Sequence, residues 1–127
     1  MYLFVSSSLF FQSDRHRLEG YLDDRELQAD LKAAQARREG MQYGLNREET
    51  GLEARRRDLE FSQREVERVR ALFESGDVSE RELEQAESNF ANAKTSVDTA
   101  LIAVSSAETN LVSADADVGR LEASIDN

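Results

Sequence analysis

Arg68, Leu72 and Ser79 stand in the stretch Arg68–Phe90, RVRALFESGDVSERELEQAESNF. Their types suit recognition, not bond-making. A guanidinium offers a rigid fork of donors to carboxylates and carbonyls. Leu72 follows one helical turn later on the same face and offers an apolar knob. The Ser79 hydroxyl can cap a helix or touch a partner. No reactive constellation accompanies them. The chain has one histidine, His16, and no cysteine. That removes a thiolate nucleophile, a thiolate metal site and a disulfide frame. The carboxylates are strung along helical positions, where nothing encloses them in a pocket that could shift their pKa values. There is no glycine-rich phosphate loop and no metal-ligand spacing. The expectation is a protein without catalytic residues, cofactor or metal. A net charge of −10 argues against nucleic acid as a partner.

The elements that must position the three residues can be read on either side of them. The chain is 127 residues long, with 33% charged residues, 7% aromatics and no proline. So polar a composition, rich in Ala, Glu, Arg and Leu at helical periods, predicts long thin helices in place of a compact globule. In YLDDRELQADL, Asp23 can act as N-cap with Glu26 as its capping-box partner, and Leu22 and Leu27 occupy the staple positions. In DVSEREL the same pattern returns with Ser79, Glu82, Val78 and Leu83. Gly76 is placed to end the first helix in a left-handed C-cap. These signals predict helix 1 over about 23–75, a turn at 76–78 and helix 2 over about 79–126. So short a turn makes the helices antiparallel neighbours. The expected fold is all-α: a long antiparallel two-helix coiled-coil hairpin with arms of roughly 80 and 72 Å.

The apolar seam of helix 2 runs Leu83, Ala86, Phe90, Ala93, Val97, Ala100, Val104, Ala107, Leu111, Ala114, Val118, Leu121 and Ile125. This unbroken alternation of three and four is the coiled-coil pattern. Helix 1 repeats Leu45, Leu52, Leu59, Val66 and Phe73, with Leu27, Leu31, Ala34 and Met41 toward its start. Its intervening positions Arg38, Glu48, Arg55 and Ser62 are polar. They are expected at the seam edge, snorkelling, or against another subunit. Gly40, Gly44 and Gly51 each weaken a helix by about 1 kcal/mol relative to Ala, so bending or fraying is expected between Gly40 and Gly51. Glu60–Arg64 and Glu53–Arg57 have the spacing of i,i+4 ion pairs.

Charge divides unevenly. Residues 23–75 carry 13 acids and 11 bases, whereas residues 79–127 carry 10 acids and 3 bases. The run ARRRD reads either as solvated surface or as a basic strip that lies beside the acidic arm of a neighbouring hairpin. Residues 1–22 are expected outside the hairpin. MYLFVSSSLFF is apolar for only eleven residues, against roughly 20 for a spanning helix, and it lacks a basic n-region and a clear cleavage site. A strand remnant, a start-site artefact and an atypical export signal all remain open.

The spacing Arg68-x3-Leu72-x6-Ser79 resembles the hairpin-tip motif of periplasmic adaptor proteins, the HlyD-type membrane fusion family of tripartite efflux pumps and type I secretion systems. SERELEQAESNFANAKTSVDTAL looks like the start of that family's descending helix, and LDDRELQADLKAAQA like the start of its ascending helix, just after the first lipoyl half-motif. The resemblance covers roughly residues 18–127, and the tip spacing is its specific part. It implies that the tip meets the periplasmic end of a TolC-like outer-membrane channel. It also implies that hairpins ring up, commonly as hexamers, into a tube coupled to an inner-membrane transporter through the parent's other domains. Arg68 would donate to channel carbonyls or carboxylates, Leu72 would fill an apolar groove, and Ser79 would touch the channel or shape the turn. Glu84 stands where the family often has an acid. The implied location is periplasmic and inner-membrane associated.

Each tip residue also has a purely structural reading. Ser79 is explained as an N-cap, Leu72 can close the seam beside Phe73, and Arg68 can pair with Glu65 or Glu74. The chain departs from the family too. RHRLEGYLDD replaces the expected glycine-rich lipoyl stretch, and after LEASIDN the family continues into a second lipoyl half. Residues 1–22 are thus a possible lipoyl-domain remnant, and the chain reads as an adaptor hairpin without its body. Two rivals stand beside this expectation. One is a cytosolic coiled-coil scaffold with no transport role. The other is a lipid-surface protein that uses its apolar start, against which the acidic surface argues.

Overall fold

The computed structural model describes the backbone of residues 2–126 and the side chains of residues 14–126. Helix α1 spans Tyr2–Glu74 and helix α2 spans Glu80–Asp126, joined by residues 75–79. The two helices pack against each other, with no strand among the described residues, so the fold is an all-α helical hairpin. No described helix is long and apolar enough to cross a membrane.

The start of α1 differs from the sequence expectation. Asp23 and Glu26 lie inside the helix and not at its N-terminus. A capping box gains only where upstream residues leave the helical path. Here nothing between Tyr2 and Asp23 forces an exit, because proline is absent and the lone Gly20 costs only about 1 kcal/mol. Continuing the helix gives the amides near Asp23 carbonyl partners, which removes the need for a cap. Residues 2–22 are therefore helical, against the strand-remnant reading. The helix also passes through Gly40, Gly44 and Gly51 without a break.

The chain divides into two packed units. One joins the first forty residues to Val112–Asn127. Its core is Ala34, Val118 and Leu121, with Leu27 and Leu31 packed against them. Val118 is the most enclosed side chain, 1% exposed. Arg37 pairs with Asp117, and Arg38 with Asp115 at 3.6 Å, so the helices run antiparallel here with charges along the seam.

The other unit is Met41–Leu111. Val66, Val69 and Ala86 form its cluster, flanked by Val78, Leu83 and Phe90. Leu45, Leu52 and Val97 are buried elsewhere along it. Arg70 reaches Glu87 across the helix pair at 3.5 Å. Two expected seam positions change. Arg55 is exposed and its guanidinium stands 4.0 Å from Asp58, while Ala54 takes the half-buried place. Phe73 is 38% exposed, and Val69 is buried in its stead. The pairs Glu60–Arg64 and Glu53–Arg57 do not form among the described residues. Both were expected from spacing alone, and exposed charges on long side chains gain too little from pairing to hold one geometry.

Candidate functional site

The turn between the helices is built from two successive terminus signals. Gly76 adopts φ +81°, the left-handed conformation that disfavours any residue with a Cβ. Its amide donates to the Phe73 carbonyl at 3.0 Å, and the Asp77 amide donates to the Leu72 carbonyl at 2.8 Å. Those two bonds make a Schellman stop. The Ser75 hydroxyl has three acceptors in reach, the Ala71 and Leu72 carbonyls at 3.2 and 3.1 Å and the Asp77 carboxylate at 2.9 Å, and its single proton serves one of them at a time. Four residues after Ser75, the Ser79 hydroxyl accepts from the Glu82 amide at 3.2 Å, and the Ser79 carbonyl accepts from the Leu83 amide at 3.3 Å. Val78 packs on the Val66–Val69–Ala86 cluster and ties the turn to the core. The loop is thus ordered by its own backbone and hydroxyl bonds, with no ligand required.

The three sequence-selected residues take distinct places around this turn. Arg68 is exposed and donates through both Nε and an η nitrogen to the Glu65 carboxylate, one turn earlier on α1. The Nε bond is 3.2 Å. Of the two acids named for it by spacing, Glu65 is the partner. The hydrogen bond, supplemented by charge, lowers the Glu65 pKa and raises that of Arg68. A depressed carboxylate pKa contributes stability above its unfolded value, and the contribution is lost as pH falls through the folded value. The pair is solvated, so its effect is to orient the guanidinium and not to anchor the fold. Leu72 is half-buried, and its carbonyl carries the Schellman bond from Asp77. Ser79 is the N-cap of α2. Glu84 is exposed on the first turns of α2.

What this arrangement can do is bind. Leu72 presents a partly open apolar surface, and Arg68 presents donors on the same face of α1. A shallow hollow in the same unit is lined by Gln63, Val66, Glu67, Arg70, Glu87 and Phe90, without a nucleophile or histidine. No group of acids and histidine able to hold a metal ion occurs among the described residues. Several hydroxyls of α2 donate back to the carbonyl four residues earlier, as in Thr95 to Ala91 and Thr99 to Thr95, so their protons are already placed. Val69 is the residue that sequence reasoning missed at this end. Counting on from Ser62 by seven would have found it. Comparison with protein-family models, with curated proteins and with solved structures finds no match.

Proposed function

We propose that this chain is the α-helical hairpin of a periplasmic adaptor, which links an inner-membrane transporter to a TolC-like outer-membrane channel in efflux or secretion. The work is binding and assembly, with no catalysis and no cofactor. The observation that carries the reading is the placement of Arg68, Leu72 and Ser79 around an ordered turn between two antiparallel helices, in the spacing that resembles the adaptor tip. In this reading Glu65 holds the Arg68 guanidinium toward solvent, ready to donate to backbone carbonyls or carboxylates of the channel. Leu72 enters an apolar groove on the channel. Ser79 keeps the start of α2 capped and so fixes the position of the contact. Neighbouring hairpins pack side by side, commonly as hexamers in the full adaptor, with the arginine-bearing face of α1 beside the acidic α2 of the next copy. Substrate passes within the resulting tube.

Arg68→Asp tests the proposal. Reversing the charge removes the donors and places an acid one turn from Glu65, on an exposed face. Binding to the outer-membrane channel should weaken at least tenfold, a loss of about 1.4 kcal/mol or more. Far-UV circular dichroism should show unchanged helix content. A variant that loses helicity in step with binding would make Arg68 a structural residue and remove its role at the tip.

A further inference from the structure

Residues 14–26 of α1 are exposed without exception, although three are large and apolar. Leu18 is 62% exposed, Tyr21 60% and Leu22 54%. They do not prolong the seam with α2. At roughly 100° per residue, the stripe Asp14, Leu18, Tyr21, Arg25 lies about 140° around the helix from Leu27, Leu31 and Ala34. A helix following the α2 seam would leave this stripe open. Its spacing of four, three and four is that of a second coiled-coil seam. Arg25 lies over the Tyr21 ring, 5.8 Å from its centroid, which places the guanidinium along the C-terminal half of the stripe.

We infer that this segment pairs antiparallel with the same segment of a second copy of the chain. The charge order selects both the occupant and the direction. The stripe begins with an acid, Asp14, and ends with a base, Arg25. Across a two-fold axis between Glu19 and Gly20, Leu18 of one copy meets Tyr21 of the other, twice. Asp14 then meets Arg25 of the second copy at each end of the contact. On the flank, Arg17 faces Asp24 of the second copy, and the stem of Arg15 lies along Leu22. A parallel pairing would set Asp14 on Asp14 and Arg25 on Arg25, which like-charge repulsion disfavours. Among the described residues, Asp14, Arg17 and Asp24 form no ion pair within the chain, so no internal bridge must break. The contact is two-fold and closed, which limits it to a dimer. Its antiparallel direction makes it an alternative to the same-direction, side-by-side packing of hairpins proposed above, and not a contact within that ring. Thirteen residues give a helix contact only about 20 Å long, so the dimer is weak and concentration-dependent.

Charge exchange tests this directly. Sedimentation equilibrium of the full chain, from low micromolar to submillimolar loading, should show a monomer–dimer equilibrium. Asp14→Arg and Arg25→Asp, each alone, should weaken self-association at least tenfold. An equimolar mixture of the two variants should recover the wild-type affinity, because every Arg then faces an Asp. Both positions are exposed, so folding is preserved, and circular dichroism checks this. A wild-type chain that stays monomeric throughout would overturn the inference. So would single variants that associate like the wild type, or a mixture no tighter than the variants alone.

Discussion

Val118→Asp is expected to destabilise the protein by about 3 kcal/mol or more. Val118 is 1% exposed and packs with Ala34 and Leu121 between the helices. A carboxylate placed there either stays charged without a partner or takes a proton at the cost of a raised pKa. The substitution also removes apolar contacts worth about 1.5–3 kcal/mol for a buried valine. Against a typical domain stability of about 5–15 kcal/mol, the loss is a large share. Val112→Asp supplies the control six residues earlier. Val112 is 68% exposed, so the same change should shift stability by no more than about 0.5 kcal/mol. Urea unfolding followed by circular dichroism measures both. Equal effects at the two positions would contradict the packing of this unit.

Gly76→Val should cost about 1–2 kcal/mol, all of it in the backbone. A Cβ built on Gly76 meets nothing within 4 Å, so no steric clash contributes. The cost comes from holding a β-branched residue at φ +81°. If the residue escapes to negative φ, the bonds from Gly76 to Phe73 and from Asp77 to Leu72 are lost together. Leu72 and Ser79 then shift relative to each other. Gly76→Asn should retain most of the stability, since asparagine tolerates the left-handed region. Thermal unfolding of the two variants orders them. An asparagine variant as unstable as the valine variant would show that the turn depends on something other than its φ angle.

The parts legible in the sequence are those where one physical signal acts alone. On α2, each seam position read from the three-four spacing, from Leu83 to Ile125, is buried or half-buried. Alanine, valine and leucine at this period have one economical way to leave water. The Ser79 cap and the Gly76 stop were equally legible, because each rests on local backbone chemistry that needs no distant partner. The register near the end of α1 was harder. Phe73 completes a sevenfold repeat, yet Val78 and Leu83 fill the space beside Val66 and Val69, and Phe73 is left at the rim. Only the path of the turn decides that competition. The start of α1 failed for a related reason: Asp23 carries a cap signal, but a cap matters only where the chain leaves the helix. At the tip, the alternatives for Arg68 narrowed to Glu65 once side-chain reach was known, which spacing does not supply.

The adaptor reading stands or falls at Leu72. A photoreactive amino acid at that position, in the full chain expressed in cells with both membranes intact, records what the tip touches. The account predicts a cross-link to an outer-membrane channel, lost when Arg68→Asp is added. Cross-links confined to soluble cytosolic proteins would contradict it and favour a cytosolic scaffold.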